Sequence, residues 1–256
     1  MILDGSSRYR ISTAISKLFS SYISGPAGLS AAIKLKQLAA LNDTVINVCV
    51  VEKGGEIGAH ILSGNVFETT ALDELFPDWA TDPDVPIKTK AIEDSFKILT
   101  SSKNHFSVPH FLTPPELNNE GNYIISLSQL VRWLGSKAED LGVEIYPGFS
   151  ASEVLYGDSG QVVGVATKDA GIGKDGSQKS SFTQGIELRA RQTLFAEGAR
   201  GSCSEEVIEK YKLRAGKDVQ SYGASLHLTF PCTHVSSLVS LHLMSELPRC
   251  CTDCCS

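Results

Sequence analysis

No stretch of the chain approaches the roughly 18–20 apolar residues that cross a bilayer, and there is no run of basic residues. The first absence excludes a membrane-spanning helix and leaves attachment at a membrane surface open. The second, with 29 acidic against 23 basic residues and a formal charge of -6, excludes nucleic acid as the main partner. Cysteine is scarce in the body of the chain, where only Cys49 and Cys203 fall; Cys232, Cys250, Cys251, Cys254 and Cys255 crowd toward the end. That spacing is not a disulfide scaffold and suits a reducing compartment. What is present is ordinary for a globular protein: 256 residues, 42% hydrophobic and 20% charged, enough for a packed core in one large domain or two modest ones.

The most informative stretch is Ser24-Gly25-Pro26-Ala27-Gly28-Leu29-Ser30, which opens an amphipathic helix. Gly25 lets a backbone approach a pyrophosphate, and Gly28 lets the helix pack closely on its strand. The helix start offers free N–H groups and a positive dipole end to phosphates. Glu52, closing the strand Val48-Cys49-Val50-Val51-Glu52, stands about 20 residues further on, where an acid meets a ribose diol in a dinucleotide fingerprint. The first glycine of that fingerprint falls at position 23, which is Ile23 here. A β-branched residue suits the turn badly, at about 1–2 kcal/mol or more for a positive φ. The strand before it, Lys17 to Ile23, carries two serines and a leading charge, unlike the near-continuous apolar run of a buried central strand.

Further along, Ala31, Leu35, Leu38 and Ala39 share a helical face with Lys36 and Gln37 turned away, and Asn42-Asp43 ends the helix. Val45 to Val51 reads as a buried parallel strand. Leu127, Leu130, Val131, Leu134, Ala138 and Leu141 keep a second helical period, capped by Ser126 or Ser128 and ended by Gly142. Val143 to Tyr146 is then a short strand. Strands at 153–155, 162–167 and 186–190, with a polar loop at 169–185, form a three-stranded antiparallel meander. Thr193 to Ala196 is a separate strand that delivers the turn Glu197-Gly198-Ala199-Arg200-Gly201. By itself that turn reads equally as a strand end with a solvated carboxylate.

This order of elements resembles the α/β, FAD-binding Rossmann-like fold of the glutathione-reductase and hydroxybenzoate-hydroxylase type. In that fold the acidic-glycine turn after the meander reaches the ribityl and phosphate portion of the cofactor. Several longer stretches are more specific: Gly25 to Leu38, Val51-Glu52-Lys53, Ile57-Gly58-Ala59-His60, Glu74 to Trp79, Gly121-Asn122-Tyr123, Leu141 to Gly148 and Leu194 to Gly198. Together they resemble electron transfer flavoprotein-ubiquinone oxidoreductase, plant-type, from about Ser24 to Tyr222. The resemblance implies an FAD enzyme on the matrix side of the mitochondrial inner membrane, in peripheral contact with it. Such an enzyme takes electrons from reduced electron transfer flavoprotein and, through FAD and a 4Fe-4S cluster, reduces ubiquinone. The cofactor carries the chemistry, so no catalytic side chain is implied. Carried over, Gly25 and Gly28 meet the pyrophosphate, Glu52 meets the ribose, and Gly58, Glu197 and Gly198 lie along the rest of the flavin nucleotide. Leu72, Leu75 and Phe76 share a helical face that Pro77 ends, with Trp79 beyond it. The stripe reads either as part of the membrane- and quinone-contacting surface or as a short core-facing helix. His60 is not assigned a catalytic role.

The expected organisation is a divergent segment over 1–23, an FAD-binding domain with part of the quinone region over 24–222, and a divergent, disordered tail over 223–256. Both ends read as foreign to the family, as an altered transcript would produce, and the family's cluster ligands are not found here. The cysteines at 250–255 are too crowded to wrap an ion and are assigned no metal. Arg8, Arg10 and Lys17 among serines fit an organelle-targeting segment, whereas Asp4 and the short length fit a frayed terminus. Two other functions stand beside the electron-transfer reading. One is a non-catalytic remnant that keeps the nucleotide-binding shape; the other is a geranylgeranyl-reductase-like flavoenzyme with a nicotinamide donor.

Overall fold

The run that reads as too polar for a central strand, β1 (Lys17–Tyr22), lies between two parallel neighbours, with its Tyr22 in register with Val51 on one side and Phe195 on the other. The structure is a computed structural model and describes residues 17–22, 25–61, 65–101, 103–173, 177–218, 226–227 and 240–241. The segment before Lys17, Ile23 with its missing glycine, and the cysteine-rich end lie outside the described residues. Of the tail, β14 (Leu226–His227) and β15 (Ser240–Leu241) pair antiparallel.

After β1 come α1 (Pro26–Leu41), β2 (Val48–Glu52), β3 (Asn65–Phe67), α2 (Thr70–Leu75), β4 (Thr89–Lys90), β5 (Phe96–Leu99), β6 (His105–Val108), β7 (Tyr123–Ile125) and α3 (Leu127–Asp140). They are followed by β8 (Glu144–Pro147), β9 (Ala151–Tyr156), β10 (Val162–Thr167), β11 (Ala170–Ile172), β12 (Gln178–Thr183), β13 (Glu187–Phe195) and α4 (Ser202–Lys210). A six-stranded sheet runs β8-β2-β1-β13-β10-β9, parallel from β8 to β13 and antiparallel across β13, β10 and β9. This bears out the expected fold, a βαβ unit joined to an antiparallel meander.

α1 buries Gly28, Leu29, Ala32, Ile33 and Ala39. Leu38, expected on that face, is 44% exposed, because the buried face runs through Leu29, Ala32, Ile33 and Ala39 and passes beside it. Every residue of β2 is buried, as a strand covered on both faces should be. Val45, expected within it, is 90% exposed in the loop before it. Side chains alternate along the strand. Val48 and Val50 join a core with Leu29, Ile33, Leu130, Val131 and Leu134, while Val51 packs with Val165 and Leu188 in a second cluster. Leu141, the last apolar residue of the α3 period, lies just past the helix and is partly exposed.

The two strands read at 186–190 and 193–196 are one, β13. Its start pairs antiparallel with β10 through Glu187, Leu188 and Arg189, and its end pairs parallel with β1 through Ala190 to Phe195. The exposed Arg191 and Gln192 break the apolar run without breaking the backbone ladder. The polar stretch at 169–185 holds a hairpin, β11 with β12. A small antiparallel sheet β3-β7-β4 and a hairpin β5-β6 lie, with α2, in the span between β2 and α3.

The apolar face of α2 belongs to the core. Leu72, Leu75 and Trp79 are buried in the main cluster, and Phe76 meets Trp133 edge-to-face at 5.4 Å between ring centroids. Next to them, Lys137 Nζ lies 2.7 Å from Asp82 Oδ2, and Asp82 Oδ1 accepts the Asp84 N–H at 2.9 Å. The Lys137 contact, and then the Asp84 N–H, hold the Asp82 carboxyl below its usual range. A depressed folded-state pKa stabilises above the unfolded value of about 3.9 and is lost as pH falls through the folded one. Asp82→Asn is therefore expected to be less stable than the parent at neutral pH, with the gap in urea midpoint narrowing as pH falls below that unfolded value. A gap that stays constant with pH contradicts that linkage.

Candidate functional site

Because β2, β1 and β13 run parallel, their carboxyl ends share one edge of the sheet. β1 leads by α1 to β2 on one side and has β13 on the other, so the strand order reverses there. That reversal is the topological switch point, where open α/β sheets bind ligands. The chain delivers three groups to this edge: the Gly25 turn and α1 start after β1, Glu52 at the end of β2, and the Glu197-Gly198 turn after β13.

Gly25 is the N-cap of α1, with φ -73 and ψ 174, and makes no side-chain cap. Its extended backbone is open to any residue; what glycine contributes is the absence of a side chain over the helix start. Pro26 begins the helix, where a missing N–H costs nothing. Gly28 is buried one turn in. Two residues without side chains thus stand at the start of α1, where a helix offers free N–H groups and its positive dipole end.

Glu52 is 7% exposed, and its Oε1 accepts the Gly54 N–H at 2.5 Å. The carboxylate is thus oriented by its own following turn. Carboxylate oxygens accept hydrogen bonds, and the hydroxyls of a ribose diol donate them. The next loop is clamped to α3: Ser128 Oγ donates to the Gly58 carbonyl at 2.8 Å, and Arg132 Nη2 meets Glu56 Oε1 at 2.8 Å. Gly58 has φ +79, and a Cβ there would fall 2.7 Å from the Ser128 carbonyl oxygen. Its glycine character therefore serves the approach to α3. His60 is exposed beside this loop.

Past β13, Glu197 opens a single 3-10 turn over Gly198–Arg200 that leads into α4. Gly198 has φ +70, and no heavy atom lies within 4 Å of where its Cβ would stand. Glu197 Oε2 accepts from Ser204, from the backbone N–H at 2.6 Å and from Oγ at 2.7 Å. The carboxylate is therefore not solvated as a plain strand-end turn would leave it. Buried beside it, the Cys203 thiol is pushed up to about 11, by desolvation first and then by the Glu197 charge. It stays a thiol at neutral pH, unsuited to nucleophilic work.

No protein-family model matches the chain. It is 58% identical over 196 residues to the electron transfer flavoprotein-ubiquinone oxidoreductase of Arabidopsis thaliana, a match covering 77% of this chain and 30% of that one. It is 57% identical over 190 residues to the Oryza sativa protein of that name, covering 74% and 32%. The Pseudomonas aeruginosa protein is 52% identical over 203 residues, covering 79% and 37%. The chain is a homologue of the matched part of these electron transfer flavoprotein-ubiquinone oxidoreductases. It spans about a third of the length of these relatives. The plant and Rattus norvegicus members are named mitochondrial, and the bacterial one is not. Among solved structures, a geranylgeranyl bacteriochlorophyll reductase-like protein from Thermoplasma acidophilum superposes at a TM-score of 0.48 with 17% identity, covering 72% of this chain and 39% of that one.

Of the two readings of the stripe around α2, the core-facing one holds, since Trp79 is only 8% exposed and its Nε1–H is bonded to Asp73 Oδ1. The apolar surface lies elsewhere: Ile92, Phe96, Ile98, Phe106, Phe111 and Leu112, on and around the β5-β6 hairpin, are all exposed. The sequence reading missed this patch, although paired apolar positions at 96/98 and 111/112 with no covering helix in the pattern are a signal that finds it. It also missed α4, which Glu205 in the first turn and Lys210 in the last would have marked. No helix among the described residues is long and apolar enough to cross a membrane.

Proposed function

We propose that this chain is the FAD-binding part of an oxidoreductase that moves electrons from reduced electron transfer flavoprotein to ubiquinone. The observation that carries the proposal is the shared sheet edge, where the α1 start, a buried carboxylate and a glycine turn with an open side come from three neighbouring parallel strands. These groups fit the parts of a flavin dinucleotide in order: Gly25 and Gly28 for the pyrophosphate, Glu52 for the adenosine ribose, and the Glu197-Gly198 turn for the remainder, with Gly58 holding the loop between them. The buried Glu52 supplies acceptors where a ribose presents donors, and the open side of Gly198 leaves room for a ligand against the backbone. The flavin, when bound, supplies the electron transfer; these residues bind and orient it.

Within the same proposal the exposed apolar patch around β5-β6 is the membrane-facing side, a peripheral contact suited to an enzyme whose acceptor is a lipid-soluble quinone. The site of action is the matrix face of the mitochondrial inner membrane. Among the described residues, no three His, Cys, Asp or Glu side chains converge to hold a metal.

The test is the visible spectrum of the purified 256-residue chain after addition of FAD and removal of excess. A stoichiometric bound-flavin spectrum is expected. A colourless, folded protein overturns the proposal in favour of a non-catalytic remnant, and steady-state reduction of bound flavin by a nicotinamide would favour the geranylgeranyl-reductase-like alternative.

A further inference from the structure

The helix that follows the proposed flavin turn has a glycine, Gly201, as its N-cap and no side-chain cap of its own. The first backbone N–H groups of a helix lack intrahelical partners and need an acceptor. Here the acceptor comes from outside the helix. Glu197 Oε2 takes both the N–H and the hydroxyl of Ser204, in the first turn of α4. The same backbone geometry makes Gly201 necessary, since a Cβ there would lie 2.1 Å from Glu197 Cβ and 2.2 Å from Glu197 Oε2. The carboxylate is thus threaded back under the 3-10 turn at 198–200 and fastened to the helix beyond it. The side of the turn that remains open is at Gly198, where nothing lies within 4 Å of the Cβ position.

We propose that Glu197 is a positioning residue: by capping α4 it fixes the Gly198–Gly201 turn, and the turn's backbone, not the Glu197 carboxylate, receives the ribityl–phosphate stretch of the flavin nucleotide. This rests on the FAD-binding reading of the site. It assigns the acid of the acidic-glycine turn to a structural anchor and predicts that Ser204, which touches no ligand in either reading, matters for cofactor affinity.

The experiment is a double-mutant cycle in the full chain, using Glu197→Ala, Ser204→Ala and the pair, with Glu197→Gln as the conservative variant. FAD affinity is read by flavin fluorescence titration, and protection of the α4 first-turn amides by hydrogen exchange without FAD. Ser204→Ala is expected to weaken FAD about three- to tenfold, and the double variant to bind no worse than Glu197→Ala within about twofold. Glu197→Gln, which keeps an acceptor for the Ser204 N–H, is expected to recover most of the amide protection and affinity lost in Glu197→Ala. FAD affinity unchanged in Ser204→Ala, or losses that simply multiply in the double variant, would overturn the inference while leaving the cofactor reading intact. Failure of the parent chain to bind FAD overturns both.

Discussion

Trp79→Ala is expected to destabilise the chain by about 3–5 kcal/mol and to lower its melting temperature by about 6–20 °C, with no loss of vesicle binding by the fraction that stays folded. The indole is 8% exposed, packs edge-to-face on Tyr123 at 5.8 Å between centroids, and donates to Asp73 Oδ1. Around it Leu72, Leu75, Val85, Ile87 and Ile125 complete the main core. Truncation opens a cavity that a sheet-backed core fills poorly, and it leaves the Asp73 carboxylate without that donor. The contrast is with Phe111 and Leu112, which are 84% and 64% exposed. Phe111→Asp with Leu112→Asp is expected to change stability by no more than about 0.5 kcal/mol per site and to weaken partition onto anionic lipid vesicles by at least about tenfold. A small melting shift for Trp79→Ala together with lost vesicle binding would return this residue to the membrane surface and remove the patch at β5-β6 from that role.

Glu52→Ala is expected to weaken FAD binding about 10- to 150-fold, the factor that corresponds to about 1.5–3 kcal/mol for hydrogen bonds to a charged group. The carboxylate is buried at the end of β2 and already oriented through the Gly54 N–H, so it has little freedom to lose on meeting a ribose diol. Glu52→Gln keeps an acceptor and is expected to bind with an intermediate affinity. Isothermal titration with FAD and, separately, with riboflavin distinguishes a local role from general loosening. A contact at the adenosine ribose affects the dinucleotide and spares riboflavin, which has no adenosine. Equal FAD affinity in parent and Glu52→Ala chains would remove this residue from the site.

The βαβ unit was legible because its signals are local. Gly25, Pro26 and Gly28 mark a helix start, the apolar run Val48 to Val51 ending on Glu52 reads as a parallel strand, and the helical period is right although the face read from Ala31, Leu35, Leu38 and Ala39 shares only Ala39 with the buried set Gly28, Leu29, Ala32, Ile33 and Ala39. The meander was legible from its turn at 157–160 and from strand alternation. The errors arise where a local pattern competes with a distant partner. β1 looks unfit for a sheet centre until the ladders to β2 and β13 satisfy its backbone on both sides. β13 looks like two strands because Arg191 and Gln192 interrupt the hydrophobic pattern, whereas the pairing depends on the main chain.

The amino-acid sequence by itself determined the element types, the kinship with the oxidoreductase family and which residue types are available to hold a nucleotide, since propensity, periodicity and turn chemistry act over a few residues. Only the tertiary structure decided that Trp79 is interior and Phe111 exposed, because both are apolar and their difference depends on which elements cover them. It decided likewise that Glu197 faces Ser204, for a carboxylate next to a glycine can serve a ligand or a helix end. Which of the two it meets is set by where the following helix packs.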